Sequence, residues 1–460
     1  MRRMSSAWRI PALIAGSAAL VAGLAIPAAS ALASTAPPNP PAGSIIVSNH
    51  SGADTVRGCL HPAYTSVQAA ISAASAGSVI YVCAGTYNES LSISEPLVLD
   101  GAQFSRDARG RVAAETVIEG AAGITYTTGA TTGTINGFTL NGYTGSVGEI
   151  VASNVGSGWA FNNNIIDVSN GGIYVNTAGV SDPSPTKIQT NSFVQSVPSA
   201  ANSGDYGQAV LIWANTANNV TIANNNFTDL SGPGAAINTT GTDSCGATLD
   251  TTNFSQALVI QKNAFTDSGT AFTNGSDSWF IDENFLALFC TTNAKVVSNT
   301  VTIEDHGDAN ASTPIYLGGG DWATTVTLNT LTGNGASGAS GVNFNSDFYA
   351  AGTGAMITTN TVSGFLYGIH VRSGAYGAPF PGAGNIPSYF TITGNTVSGS
   401  LSNGIAIDAG LYGKVSGNTV SGSANFDCYD GSGPGGTGTS GTYNTWSGLG
   451  STSSPSGLCH

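Results

Sequence analysis

The sequence is short of charge. Lys, Arg, Asp and Glu make up 8% of its 460 residues, and the balance leans acidic, to a net −14. The clustered Lys and Arg that nucleic acid requires are missing, so nucleic acid is not an expected partner. No stretch inside the body of the chain keeps a helical apolar period for even about ten residues, which excludes a helical solenoid. Beyond Ile26 no apolar run is long enough to cross a membrane. Cys-x-x-Cys, His-Glu-x-x-His, Walker, EF-hand and Gly-x-Ser-x-Gly motifs are all absent. No dedicated metal centre is expected, and no cofactor is required.

The start of the chain is distinctive. Arg2, Arg3 and Arg9 precede an apolar run from Ile10 to Ile26, and Ala31-Leu32-Ala33 offers a small-residue cleavage site. Residues 1–33 therefore read as a secretory signal peptide, and a secreted, extracellular protein is expected. Residues 34–44 carry Pro37, Pro38, Pro40 and Pro41 and read as a linker. Six cysteines suit export. Pairing neighbours in sequence gives Cys59–Cys83, Cys245–Cys290 and Cys428–Cys459, one of fifteen connectivities open to six cysteines.

What fills the rest is a repeated phrase of Asn, a small residue and a large apolar one. It occurs at Asn163-Asn164-Ile165, Asn191-Ser192-Phe193, Asn225-Asn226-Phe227, Asn263-Ala264-Phe265, Asn299-Thr300-Val301, Asn329-Thr330-Leu331, Asn360-Thr361-Val362, Asn395-Thr396-Val397 and Asn418-Thr419-Val420. Glu283-Asn284-Phe285 is a degenerate copy. Short alternating runs flank each Asn, so the elements are strands, and the recurrence signals a solenoid. Asn tolerates the left-handed bend between two short strands. Coils stacked at about 4.8 Å would let the amides hydrogen-bond up the stack as an asparagine ladder. Residues 45–460 then form one all-β domain of stacked coils.

Before the repeats, Val67, Ala70, Ile71 and Ala74 fall on one helical face, with Thr65 or Ser66 as cap and Gly77 as stop. Such a helix would close the first coil, giving an N-terminal cap at residues 59–102, with a C-terminal cap at 421–460. The phrases Val67-Gln68-Ala69-Ala70-Ile71, Ile80-Tyr81-Val82, Gly85-Thr86-Tyr87 and Leu97-Val98-Leu99-Asp100-Gly101 resemble the first coils of pectin-lyase-like proteins. The later Gly-Asn-Thr-Val phrases are similar to the repeats of that superfamily. The resemblance implies a right-handed parallel β-helix. Its members include polysaccharide lyases, pectinesterases, polygalacturonases and non-catalytic surface proteins, so the fold leaves activity open. Gly207-Gln208-Ala209-Val210 echoes a pectinesterase phrase, but the aspartate motif that should follow is absent. The polygalacturonase and pectate-lyase motifs are absent too.

Each coil also carries a strand of form Gly-φ-x-φ-x, at Gly172, Pro314, Gly341, Gly368 and Gly404. The φ side chains point inward and the x side chains outward. One outward row reads Tyr174, Tyr316, Asn343, His370, Ala406. The other reads Asn176, Gly318, Asn345, Arg372, Asp408. Asp347, Asp321 and Trp322 lie just past their strands. His370, Arg372, Asp347 and Asp408 are the candidate catalytic residues, and Tyr316, Trp322, Asn343, Asn345 and Tyr376 the candidate substrate-binding ones. In the plain structural alternative, Arg372 and Asp408 form a surface pair and His370 is solvated.

Three chemistries fit these residue types. A hydrolase would pair Asp347 with Asp408 across two coils, about 9–10 Å, within reach of inversion only. A lyase would use His370 or Arg372 as base, with Arg372 or Ca2+ neutralising a sugar carboxylate. A binding protein needs only aromatic platforms and amides. Glu304-Asp305-His306-Gly307-Asp308 is a loop that could hold Ca2+ or be a solvated acidic turn. The expectation is a monomeric β-helix that binds an extracellular polysaccharide and, in the stronger form, degrades it as a lyase or glycosidase. The alternative is a non-catalytic structural or cell-surface protein.

Overall fold

The computed structural model describes residues 37–459, apart from 50–55, 57, 128, 145–149, 154–157, 170, 177–183, 196–209, 214–218, 229, 231–234, 241–254, 268–283, 304–312, 335–339, 347–351 and 374–385. The expected leader, Asn176 beyond its backbone, Gln208, Cys245, the Glu304–Asp308 loop, Asp347 and Tyr376 lie outside the described residues or side chains.

Short alternating strands stack coil upon coil. In one coil, Thr391–Thr393, Thr396–Ser398 and Asn403–Ile407 follow each other. Ile392, Val397, Ile405 and Ile407 all turn inward and are fully buried. Each strand pairs in parallel with its counterpart one coil on, as Ile357 with Ile392 and Ile392 with Val415. Two of the three columns form a 25-stranded sheet and the third a 13-stranded sheet. This is a parallel β-helix. Each buried Ile, Val, Leu or Phe stabilises the stack by about 1.5–3 kcal/mol, and stability accrues from contacts between neighbouring coils. Among the described residues no helix is long and apolar enough to cross a membrane.

A column of buried asparagines runs beside the first two strands. Asn164, Asn191, Asn225, Asn263, Asn299, Asn329, Asn360, Asn395 and Asn418 each occupy the same turn position. The Nδ2 of each donates to the Oδ1 of the next at 2.9–3.2 Å. Three features differ from expectation. The left-handed residue is the one before the Asn, as at Asn163, Thr190, Asn224, Lys262, Ser298 and Leu328. The Asn itself is thereby free to aim its amide into the stack. In the first copy, Asn164 and not Asn163 is the buried member, because Ile166 and not Ile165 pairs with Phe193. The degenerate copy has no place in this column: Asn284 begins strand Asn284–Leu288 of the other sheet.

The helix Val67–Ala73 buries Val67, Ala70 and Ile71 and is capped by Ser66. It ends at Ala73, short of Gly77, because Ala74 is already extended. A feature not foreseen lies at its start: the Glu89 carboxylate accepts from the backbone N–H groups of Val67 and Gln68 at 2.9 Å. A carboxylate there meets otherwise unpaired donors and the positive end of the helix dipole. Disulfides join Cys59 to Cys83 and Cys428 to Cys459, and Cys290 is also disulfide-bonded.

Candidate functional site

The 13-stranded sheet carries the candidate residues. Pairing register sets Tyr316 beside Asn343, Asn343 beside His370, and His370 beside Ala406. Asn345 lies beside Arg372 in the second row. Tyr174 shares the first row but is separated from Tyr316 by Leu211, Asn238 and Ala287. Trp322 is elsewhere. It forms isolated parallel bridges with Thr292 and Thr353, outside both rows.

Strand Tyr367–Arg372 owes its path to Gly368. A Cβ there would lie 2.2 Å from Val397 Cγ1 and 2.7 Å from the Gly404 carbonyl oxygen. Gly341 and Gly404 face the same obstruction one coil to either side. The glycine lets the chain turn the corner tightly, after which Ile369 and Val371 point inward and His370 outward.

The outward row is not open to solvent, contrary to expectation. Tyr316, Asn343 and His370 are only 2–3% exposed, and Asn345 is fully buried. Asn345 Nδ2 donates to the Tyr316 hydroxyl at 3.1 Å. His370 is gripped on three sides. Its ring stacks on Tyr367 with centroids 4.2 Å apart. Its Nδ1 lies 3.5 Å from Ser340 Oγ, and its Nε2 lies 2.7 Å from Asp408 Oδ2. The solvated imidazole and the Arg372–Asp408 surface pair of the plain alternative therefore give way to a buried imidazole engaging Asp408. Ala406 explains the geometry. Directly opposite His370 there is only a methyl group, so the ring reaches diagonally over it to the carboxylate two residues further on.

The electrostatics follow. Burial holds the His370 imidazole below the usual histidine range, against the opposing pull of Asp408. The hydrogen bond from His370 holds the Asp408 carboxyl below the usual carboxylate range, with Arg372 adding to it. At neutral pH the pair is thus a neutral imidazole donating its Nε2–H to an ionised carboxylate. Asp408 remains nearly half exposed, at 46% of its side chain. An ionised Asp408 can accept from a ligand but is poorly suited to give a proton. The hydrolytic pair is not assembled among the described residues, since Asp347 lies outside them. No metal-holding cluster of His, Cys, Asp and Glu occurs among the described residues either.

Three contributors escaped the sequence reading. Ser340 and Tyr367 pair in register one position before the glycine corner, a row that the Gly-φ-x-φ-x phrase leaves out. Phe289 packs against Tyr316 with ring centroids 5.7 Å apart and stands over Gly318, where a Cβ would lie 2.3 Å from its ring. For Phe289 no signal was available, since it follows its strand instead of belonging to it.

Asp321 proves to be a buried structural group. It is 1% exposed and accepts from the Thr291 hydroxyl. Burial pushes its carboxyl well above the usual range. The unfolded chain releases this proton as pH rises past about 3.8, whereas the folded chain keeps it, so stability falls with rising pH until the folded value is reached. Asp321→Asn is expected to raise the melting temperature at neutral pH and to flatten its fall between acid and neutral pH. Thermal unfolding at several pH values checks this; a variant less stable than the parent at neutral pH would contradict it.

No family model matches the chain, and no curated protein matches it. Among solved structures, it is similar to the PL6 family alginate lyase AlyGC, with TM-score 0.47 and 13% identity over 82% of this chain and 52% of that one. The chain thus spans about half the length of AlyGC. A mannuronic acid specific polysaccharide family 6 lyase from human gut microbiota gives TM-score 0.45 and 13% identity over 75% and 76%. The catalytic unit of a GH87 alpha-1,3-glucanase from Streptomyces thermodiastaticus gives 0.39 and 14% over 91% and 71%. Resemblances this distant say nothing of activity.

Proposed function

We propose that this chain is a secreted right-handed parallel β-helix that binds an extracellular polysaccharide at Arg372 and Asp408. In this reading residues 1–33 are removed on export, residues 45–460 act as one monomeric domain, and the helix Val67–Ala73 covers the open first coil. The observation that carries it is the 2.7 Å contact between His370 Nε2 and Asp408 Oδ2. That contact fixes an ionised, half-exposed carboxylate and leaves its second oxygen for sugar hydroxyls. Charge-assisted hydrogen bonds of this kind are about twice as strong as neutral ones. Arg372, at the end of the neighbouring strand, supplies a planar cation for a sugar hydroxyl or carboxylate. Tyr316, Asn343 and Asn345 support the strand face behind them. No metal is needed for this binding; calcium at Glu304–Asp308 is a separate matter that chelation would reveal.

Degradation is the stronger form of the same reading. Elimination needs a base and a cation at the sugar carboxylate, and the half-exposed Asp408 carboxylate, held by the buried His370, and the Arg372 guanidinium are the groups of the cluster suited to those roles. A polysaccharide panel, read by retention and by absorbance of unsaturated products, separates binding from cleavage. Asp408→Asn and Arg372→Gln are each expected to weaken retention at least about tenfold, which is about 1.4 kcal/mol. Asn at 408 keeps an acceptor for His370, so the melting temperature should hardly move. Unchanged retention in both variants would sink the site, and no retention of any glycan by the parent chain would favour the structural, non-catalytic alternative.

A further inference from the structure

The outer face of the second strand column holds a regular array of hydroxyl groups. Five consecutive coils read Thr300-Val-Thr302, Thr330-Leu-Thr332, Thr361-Val-Ser363, Thr396-Val-Ser398 and Thr419-Val-Ser421. Pairing is in strict register: Thr300 with Thr330, Thr330 with Thr361, Thr361 with Thr396, and Thr396 with Thr419. The second row follows in step, from Thr302 through Thr332, Ser363 and Ser398 to Ser421. All five members of the first row are exposed. The central Val or Leu of every strand is buried and holds the face flat.

β-Propensity alone does not account for the pattern. In the preceding coils the same two rows hold Ile165 and Asp167, Ser192 and Val194, Asn226 and Thr228, and Ala264 and Thr266. From Thr300 onward ten positions in succession are Thr or Ser and none is charged. On the adjoining column, by contrast, hydroxyls bond to each other or to backbone: Thr327 to Thr358 and Thr359, and Thr393 to the Ser416 carbonyl. The ten array positions make no such side-chain hydrogen bond among the described residues.

We infer that this face binds ice. The rows repeat at about 4.8 Å along the stack and about 6.8 Å along each strand, a two-dimensional lattice of hydroxyls and methyls. Hydroxyls with no partner among the described residues anchor water, and the threonine methyls, unbroken along the first row, order it, so a rigid periodic face presents its first water layer already spaced like a crystal surface. The absence of charge complements a neutral lattice and disfavours an acidic or basic partner. The absence of aromatic rings from both rows disfavours the faces of crystalline polysaccharide, where stacking would be needed. The array ends after Ser421, where the next pairing shifts register.

The test uses the full chain in supercooled buffer, measuring the gap between melting and freezing points and the growth of ice grains on annealing. The parent chain is expected to open a measurable gap and to arrest grain growth. The double variant Thr361→Tyr/Thr396→Tyr, bulky at the centre of the face, should lose at least about half of both effects. Thr325→Tyr, on the adjoining column, should keep them. Circular dichroism and melting temperature establish that each variant is folded. No effect of the parent on ice, or equal effects in parent and double variant, overturns the inference. So does retention on crystalline cellulose or chitin that depends on Thr361 and Thr396 while ice is unaffected.

Discussion

Asn329→Ala is expected to destabilise the chain by about 4 kcal/mol in urea unfolding. The side chain sits in the interior of the asparagine column, between Asn299 and Asn360, and is 1% exposed. Its Nδ2 donates to the Val296 carbonyl and to Asn360 Oδ1, both at 2.9 Å. Its Oδ1 accepts from the backbone N–H and the Nδ2 of Asn299. Alanine therefore leaves two donors and a carbonyl buried without their partner, and each such group costs about 1–3 kcal/mol. The neighbouring turns also hold Ser298 and Leu328 in left-handed backbone, a conformation that costs a side chain about 1–2 kcal/mol and that the column offsets. Binding should persist until the fold yields. A loss under about 1 kcal/mol would mean that strand pairing alone holds the turns.

Gly368→Ala should destabilise by about 3 kcal/mol, the upper end for a small overpacking change. The added carbon would meet a core methyl on one side and a neighbouring backbone carbonyl on the other. Val397 could yield only by leaving its rotamer, and the carbonyl only by parting two coils. The variant also carries a functional signature, since Gly368 lies two residues before His370. Displacing the strand pulls the imidazole from Asp408, so retention of glycan should fall more steeply than in Asn329→Ala at matched stability. Equal retention in the two variants would show that the corner and the site are independent.

Much of the fold was legible because a solenoid writes its rules repeatedly. Asn395-Thr396-Val397 and Asn418-Thr419-Val420 announce both the turn and the inward residue, and Gly368-Ile-His-Val-Arg announces the third strand. Ambiguity entered where two asparagines adjoin, at Asn163 and Asn164, and only pairing with Phe193 resolves it. The site was legible as to row and not as to contact. Register carried one place past the Val371–Ile407 pair would set Asp408 beside Arg372, but side chains reach diagonally where the opposite residue is as small as Ala406. Nor could alternation reveal that Tyr316 and His370 are covered, because alternation tells in from out and not open from closed. The lock on His370 by Tyr367 belongs to the glycine corner, where two successive residues face inward and the period of two breaks.

The asparagine column has a consequence for how such a chain can change. Successive members are separated by as few as 23 and as many as 38 residues. Yet each sits directly between the same two short strands, so every difference in length falls outside that turn. The column is a ruler that counts turns and ignores what hangs from them. Segments can be lengthened, shortened or exchanged at those outlying connections without resetting the register of anything else, and a whole turn can be duplicated as a module. Surfaces such as the threonine face and the His370 neighbourhood can therefore diversify independently along one spindle.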